Sequence, residues 1–332
     1  MMNNSDSLTE KLRLAVKDLT RVNPWVGLLR LMILVSLFLL FVILTWLTDN
    51  IWVFGINSAI AGFLYAFCLI CTHDSTHNTL TGWSWFEAIA PRLLSYPMLW
   101  PYGVYSELHR LHHAWNGRDF RDPERIEWTK EEYTEVAPLL RWYVRHQWVI
   151  DIFVLGGVGL IVKTWVNGMR FQSVRPRLRW QLGIDVVGMI VIQGIFVFSA
   201  VYYGVIWRYL LFWFILERAI GIVTQTRDHL EHYRMWNQQP GYQLTQLYSC
   251  RNLKVNPLTQ WLMGGLPYHS VHHCFPEIPF NRLPSAFERI QLILKEHNLP
   301  LMIQDSGYFR ATWRLKSQPT VITSIQGGHQ DL

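Results

Sequence analysis

Long apolar runs dominate the hydropathy pattern of the chain. Residues 31–47 (LMILVSLFLLFVILTWL) and 51–71 contain no charged residue, and each is close to the roughly 20 residues that cross about 30 Å of hydrocarbon. Three residues separate them, which predicts a helical hairpin. Residues 181–203 and 204–223 follow each other directly and predict a second hairpin. A further apolar stretch covers residues 147–166.

Basic residues near the ends of these spans predict the orientation, because lysine and arginine beside a span stay cytoplasmic. Neither short hairpin turn, at 48–50 or around 203, contains a lysine or arginine. Both termini are therefore predicted to be cytoplasmic. The basic residues before the first and third spans are Lys11, Arg13, Lys17, Arg21, Arg170, Arg175, Arg177 and Arg179.

The stretch 147–166 is predicted to be an interfacial or re-entrant helix. It carries Asp151, Lys163 and the Gly156-Gly157 pair, and a single crossing would separate the arginine loop after it from the histidine-rich segment before it. The predicted fold class is therefore an all-α integral membrane protein. Four transmembrane helices form two hairpins, accompanied by interfacial helices and a cytoplasmic helical cap.

The predicted organisation has three parts. A cytoplasmic N-terminal segment covers residues 1–30, a membrane domain covers 31–318, and a loose C-terminal tail covers 319–332. Only 16% of the 332 residues are charged, against roughly 25% in ordinary soluble domains. The net charge is +6, but no basic run interleaves with aromatic residues, so nucleic acid is not expected as a partner. The cysteines predict no disulfide framework, and the first 25 residues predict no secretory signal.

Histidines occur in three clusters: "HDSTH" (His73, His77), "HRLHH" (His109, His112, His113) and "HSVHH" (His269, His272, His273). Residues i, i+3 and i+4 share one face of a helix, so each H-x-x-H-H string directs its imidazoles to one place. The first cluster follows the cytoplasmic end of the second span, and the others lie in the cytoplasmic cap. All eight can meet on one side of the bilayer, which predicts a metal site.

The number of imidazoles indicates which metal. Imidazole suits iron, zinc, copper and nickel, but eight histidines exceed one tetrahedral zinc site, so two metal ions are implied. An H-E-x-x-H string is missing, which speaks against a zinc peptidase. The predicted spans contain no histidine, which speaks against bis-histidine haem. Among these alternatives, the histidines favour a two-iron centre that activates oxygen.

The boxes, their order and the two hairpins resemble those of the membrane fatty acid desaturase superfamily, which includes carotenoid hydroxylases and ketolases. The resemblance runs from about residue 31 to residue 300 and includes "NPLTQWLMGGLPYHSVHHCFPEIPFNRLP". It implies two iron ions that are held by the eight box histidines and by one more histidine upstream of the third box. It also implies O2 as co-substrate. In "TRDHLEHYR" the spacing from Asp228 favours His232 for that place, with His229 as its rival. Carboxylates or amides that could orient the ligands are Asp74, Asn116, Asp122 and Asp228.

The leading function is an acyl-lipid fatty acid desaturase that introduces a double bond into a lipid acyl chain. The alternative is a carotenoid (beta-carotene) hydroxylase or ketolase. No H-P-G-G motif is present, so an external electron donor such as ferredoxin or a small cytochrome is expected. A divalent-metal transporter is a hypothesis of another class. Its only intramembrane candidates are Asp151 and Asp185.

Overall fold

The computed structural model describes residues 4–322, which fold almost wholly into helices. Two short parallel two-stranded sheets, β1 with β4 and β2 with β3, and several short 3-10 or π-helical turns make up the other elements of these residues. The helices are α1 (Asn4–Val16), α2 (Pro24–Leu47), α3 (Ile51–Thr76), α4 (Ser84–Ser95), α5 (Tyr102–Trp115), α6 (Lys130–Glu135), α7 (Pro138–Val149), α8 (Gly156–Arg170), α9 (Arg177–Tyr202), α10 (Ile206–His232), α11 (Tyr242–Tyr248), α12 (Pro257–Leu262), α13 (His269–Cys274), α14 (Leu283–Glu296) and α15 (Tyr308–Leu315). The strands are β1 (Trp128–Thr129), β2 (Asn252–Lys254), β3 (Gln304–Ser306) and β4 (Val321–Ile322).

The chain divides into two compact units. Unit 1 comprises Met1–Val22, His112–Val149 and Arg227–Leu332, and unit 2 comprises Asn23–Leu111 and Ile150–Thr226. Helices α5 and α10 each carry residues of both units.

Four helical segments are long and apolar enough to cross a membrane, which confirms the all-α membrane fold. They are Pro24–Leu47, Ile51–Thr76, Pro138–Ser173 and Arg177–Tyr202. Three of them contain predicted spans. The fourth, Pro138–Ser173, contains the stretch predicted to be interfacial. Helix α10, which covers the predicted span 204–223 except for its first two residues, is not in this set, and it carries Arg208, Glu217 and Arg218.

Asparagine caps begin both helices of the first hairpin in unit 2. The side chain of Asn23 accepts a hydrogen bond from the Trp25 N–H, and Pro24 occupies the first helical position, where its missing N–H costs nothing. Asn50 accepts from the N–H groups of Trp52 and Val53 at 3.0 and 3.2 Å. These caps explain why α2 begins seven residues before the first predicted span, outside the charge-free run.

A break interrupts the long helical segment Pro138–Ser173. Residues Ile150–Leu155 form a π-helical turn, and Gly156 then adopts a φ of +55°. The Arg218 guanidinium donates to the carbonyl oxygens of Val154 and Leu155 at 2.8 and 3.0 Å. Glu217 accepts from the Val158 N–H at 2.7 Å. The two charges inside an apolar helix therefore satisfy backbone groups that the break leaves without intrahelical partners.

Asp185 anchors the helix that carries the second histidine box. Its Oδ2 accepts from the Val104 N–H in the first turn of α5 at 2.9 Å, and its Oδ1 accepts from the Tyr96 hydroxyl at 2.8 Å. The side chain is fully buried, and a carboxylate is favoured near a helix N-terminus. These contacts give Asp185 a structural role in place of the transporter-ligand role considered from sequence.

Helix α1 packs on α14 in the core of unit 1. Leu8, Leu12 and Val16 of α1 are buried in one apolar cluster with Ile290 and Leu294. The predicted N-terminal segment 1–30 is therefore largely a packed part of the fold. At the other end, β4 pairs with β1, so the predicted tail starts with a strand. The rest of that tail, 323–332, lies outside the described residues.

Candidate metal centre

Three box histidines come together in unit 2. His73 and His77 lie at the end of α3, and His109 lies on α5. Their ring centroids are 4.7 to 5.4 Å apart, and a ligating atom from each lies within 4.8 Å of the others. His73 and His109 are buried, with 3% and 2% of their surfaces exposed. This set brings together the first box and the first histidine of the second box.

A buried ion pair lies directly beside this set. Asp74 accepts from Arg30 at 2.9 Å through Oδ2, and its Oδ1 is 3.5 Å from His73 Nδ1. Both partners are almost fully buried, where breaking such a pair is strongly destabilising. On the other side of the set, the Tyr105 ring stacks on His109 with centroids 5.3 Å apart. These neighbours hold the imidazoles in place.

A second set of four histidines lies within unit 1. His232, at the end of α10, has its Nε2 atom 3.2 Å from His112 Nε2 and 3.0 Å from His269 Nε2. The ring of His273 lies 4.8 Å from that of His112 and 5.0 Å from that of His232, centroid to centroid. At most 4% of each of the four residues is exposed.

Hydrogen bonds fix the tautomers of two of these rings. His112 Nδ1 lies 2.8 and 2.9 Å from the two carboxylate oxygens of Asp122, so Nδ1 carries the proton and donates it. His273 Nδ1 lies 3.1 Å from Gln246 Oε1, while Gln246 Nε2 donates to the Asn116 carbonyl, so Nδ1 is again the donor. In both rings Nε2 is therefore the atom that faces a possible ligand, which is the usual arrangement of a metal-bound histidine.

Burial and charge divide the imidazoles into two electrostatic classes. Burial lowers the pKa of His113 and His273 well below the ordinary histidine value, and neighbouring histidines lower it further. These rings are therefore neutral, which is the form that binds a metal. Burial acts in the same direction on His112, but the Asp122 carboxylate outweighs it and raises the pKa of His112 to about 9. Asp122 thus favours a positive charge at His112 Nε2, whether from a proton or a cation.

Two further box histidines form a pair in unit 1. The ring centroids of His113 and His272 are 4.9 Å apart. On α5, His113 lies one turn after His109, on the same helix face. The Tyr242 hydroxyl is 3.2 Å from the carbonyl oxygens of both His113 and His273. It thereby connects the helix of the second box to that of the third.

The rival candidates of α10 lie in different surroundings. His232 is in the four-histidine set, whereas the His229 ring packs against Trp148 and Tyr233, with centroids 5.3 and 6.2 Å away. Of the predicted orienting residues, Asp122 contacts His112 and Asp74 lies near His73, as described above. Asn116 donates to Gln246 Oε1 and to Cys250 Sγ. Asp228 acts on His112 through its charge.

Comparison with known proteins identifies the family. A family model described as "Fatty acid desaturase" matches residues 49–304, which is most of the chain and includes all three boxes. The chain belongs to the fatty acid desaturase family.

Individual relatives of this desaturase family member are distant. An acyl-lipid (9-3)-desaturase of Physcomitrium patens is 23% identical over 248 residues, which cover 70% of this chain and 46% of the relative. A delta(5) fatty acid desaturase, fat-4, of Caenorhabditis elegans is 24% identical over 233 residues, 64% of this chain and 50% of the relative. An sn-1 acyl-lipid omega-3 desaturase (ferredoxin) of a Nostoc strain is 22% identical over 269 residues, 78% of this chain and 73% of the relative. The chain spans about half the length of the first two.

The site of this desaturase homologue also contains residues that sequence reasoning missed. The Cys250 thiol lies among His232, His269 and His273. Glu231 Oε2 is 3.4 Å from His269 Nε2, and Gln246 orients His273. None of the three belongs to a histidine box or has a diagnostic spacing from one. Their position beside the histidines is visible only in the tertiary structure of unit 1.

Proposed function

We propose that the protein is an O2-dependent membrane oxidoreductase that introduces a double bond into a lipid acyl chain. The observation that carries the proposal is the four-histidine set of unit 1, in which buried Nε2 atoms approach one another to 3.0 and 3.2 Å. A shared cation explains such an approach better than hydrogen bonds do, because one Nε2 proton on His232 cannot serve both neighbours. The relatives include acyl-lipid desaturases, which favours the acyl-lipid substrate.

The proposed cofactor is a pair of iron ions. His112, His232, His269 and His273 of unit 1 are assigned to one ion, and the remaining five of the nine histidines complete the proposed set of iron ligands. They are His73, His77, His109, His113 and His272. Neutral imidazoles are a suitable donor set for iron, and iron with O2 supplies the oxidising power that C–H cleavage needs and that side chains lack.

The residues of the chain bind the ions, orient the histidine rings and shield the site from water. Asp122 and Gln246 keep the Nδ1 protons of His112 and His273 in place, so that both Nε2 lone pairs are available. The Arg30–Asp74 ion pair lies beside His73 at the end of α3 and helps to position it. Burial excludes bulk water from the imidazoles, which protects reactive species from side reactions.

The proposed setting is a multi-pass membrane protein with both termini and the histidine boxes on the cytoplasmic side. The proposed spans lie within α2, α3, α9 and α10, with residues 147–166 interfacial. An external electron donor is required, and the word ferredoxin in the name of the Nostoc relative supports a ferredoxin or a similar small carrier.

Expression in a host that makes both acyl lipids and carotenoids tests the substrate. Mass spectrometry of both lipid classes should reveal new acyl chains two hydrogens lighter than their precursors, with carotenoids unchanged. His112→Ala should abolish the new species and lower bound iron, whereas His146→Ala, which changes an exposed histidine, should leave both intact. Unchanged acyl lipids with a newly oxygenated carotenoid would establish the hydroxylase or ketolase alternative instead.

A further inference from the structure

The thiol of Cys250 lies inside the four-histidine set. Its Sγ atom and a ring nitrogen of each of His232, His269 and His273 all lie within 4.8 Å of one another. Cys250 is 2% exposed. Sulfur and nitrogen atoms that bind one metal ion lie about this close together, because metal–sulfur and metal–nitrogen bonds are only about 2.3 and 2.1 Å long.

Hydrogen bonds made by the neighbouring residue hold Cys250 in this position. The residue follows α11, and the next residue, Arg251, donates its N–H to the Glu231 carbonyl at 2.8 Å. The Arg251 guanidinium also donates to the carbonyl oxygens of Leu230 and Tyr233, at 2.9 and 2.8 Å. Since these residues flank His232, the segment that carries Cys250 is fixed to the end of the helix that carries His232.

A second observation points to a ligand at the same place. His273 Nδ1 is hydrogen-bonded to Gln246 Oε1. His273 Nε2 is buried and has no hydrogen-bond partner among residues 4–322. A buried nitrogen lone pair without a partner is costly. His273 is a member of the group that contains the sulfur, so one cation bound there could satisfy both.

The other cysteines provide a comparison. Most buried free cysteines act as small apolar residues, and Cys68, Cys71 and Cys274 fit that description, since none of them belongs to a metal-ligand group among the described residues. Cys274 is directed instead to the Gln243 carbonyl. Cys250 differs because its sulfur accepts a hydrogen bond from Asn116 at 3.2 Å.

We infer that Cys250 is a sulfur ligand of the metal ion held by His232, His269 and His273. On binding, the S–H bond breaks, its proton leaves to solvent and a metal–sulfur bond forms, with no change in oxidation state. The inference rests on the proposed function, because it takes that histidine set as a metal site. It adds that the two ions are unlike, one with nitrogen ligands alone and the other with nitrogen and sulfur.

Cobalt loading tests this inference with a readout other than turnover. The purified full chain is loaded with Co2+, and the wild type should show an intense near-ultraviolet sulfur-to-cobalt charge-transfer band. Cys250→Ser should lose the band and bind cobalt at least about tenfold more weakly. Cys274→Ser, a buried cysteine outside the group, should keep both properties.

X-ray absorption of zinc-loaded wild type provides a measurement without a variant, should Cys250→Ser fail to fold. A sulfur shell near about 2.3 Å, beside nitrogen near about 2.1 Å, is the expected result. Bound metal with a nitrogen shell alone, or an unchanged cobalt spectrum in Cys250→Ser, would overturn the sulfur ligand and leave the proposed function intact. A wild type that takes up no metal and forms no double bonds would overturn both.

Discussion

The carboxylate of Asp122 determines what His112 can bind. Both of its oxygens lie within 2.9 Å of His112 Nδ1, so it fixes the tautomer and adds electron density to the ring. Asp122→Asn keeps the shape but removes the charge. We expect metal affinity to fall roughly 10- to 100-fold, as for other residues that orient a metal ligand. Chelator titration of the iron-loaded protein measures this change.

The matched control for this substitution is Asp119→Asn. Asp119 is three residues away, and its carboxylate pairs with Arg121 at the surface. It should leave iron retention unchanged. Equal iron retention in Asp122→Asn and the wild type would show that the pair does not support the metal site.

We expect Glu127 to make the stability of unit 1 sensitive to pH. Burial raises the pKa of Glu127 to about 7, Asp122 adds to the effect, and hydrogen bonds from backbone N–H groups together with Arg125 oppose it. A carboxyl group whose folded pKa is raised stabilises the fold below its unfolded pKa, and that contribution disappears as pH rises through the folded pKa. The wild type should therefore melt at a lower temperature at pH 8.5 than at pH 6.

Glu127→Gln should remove the contribution of Glu127 to this difference, while buried Glu231, whose pKa is raised to about 8, keeps its own. The amide oxygen can still accept from the Met235 N–H, as the carboxylate does at 3.1 Å, and no proton remains to be lost. The gain at pH 8.5 should be about 3 to 4 kcal/mol, because the pKa rises from 4.5 to about 7 and each pKa unit corresponds to roughly 1.4 kcal/mol. Glu131→Gln, at an exposed position, is the control. If the two variants melted alike at both pH values, Glu127 would not be the group responsible.

The sequence could predict which histidines lie in clusters, but it could not predict the thiol or Glu231 beside them. The spacing i, i+3 and i+4 within a box predicts that His109, His112 and His113 lie on one face of a helix. Cys250 is 18 residues after His232 and 19 before His269, separations that indicate no ligand pattern. Its place depends on hydrogen bonds from Arg251 to the end of α10, which are tertiary contacts without a local signature.

At the level of elements, the break in Pro138–Ser173 depends on close backbone packing. A Cβ at Gly221 would lie 2.4 Å from the Gly157 nitrogen and 2.5 Å from the Gly156 Cα. Backbone atoms cannot move aside cheaply, so Gly221→Ala should destabilise unit 2 by about 1 to 3 kcal/mol, the usual cost of overpacking. Thermal unfolding in detergent, with the yield of monodisperse protein, measures this loss.

Gly194→Ala is the control for this helix contact. Gly194 is inside α9, and a Cβ there would meet nothing within 4 Å. Alanine in an open helical position should be neutral or stabilising by up to about 1 kcal/mol. A Gly221→Ala protein as stable as Gly194→Ala would mean that α10 and the break are not packed as described.

Apolar runs predicted where the long helices lie, but their ends depend on other features. Helix α2 starts at a cap and a proline outside the charge-free run, and α3 continues to Thr76 so that it carries His73. The Gly156-Gly157 pair indicated an irregular helix. The stabilising contacts from Glu217 and Arg218 could not be foreseen, because intramembrane charges have several possible partners.

At the scale of the whole molecule, the route of the chain through the bilayer remains a prediction with two versions. If Pro138–Ser173 is interfacial, the loops before and after it lie on one side of the membrane. If it crosses, they lie on opposite sides. Hydropathy favours a crossing, while the arginines before the third predicted span favour the cytoplasmic side for both loops. The helix break and its polar contacts are compatible with an irregular helix that does not cross.

Single cysteines labelled in intact cells distinguish the two versions. The native cysteines Cys68, Cys71, Cys250 and Cys274 are buried, so they should give little background with a membrane-impermeant maleimide. Glu131→Cys and Arg179→Cys lie at exposed positions on either side of Pro138–Ser173, and Tyr203→Cys is an exposed position in the second hairpin turn. We expect Tyr203→Cys to react from outside, and the other two only after permeabilisation. Reaction of Arg179→Cys but not Glu131→Cys from outside would mean that Pro138–Ser173 crosses, and the arginine loop would then break the charge rule.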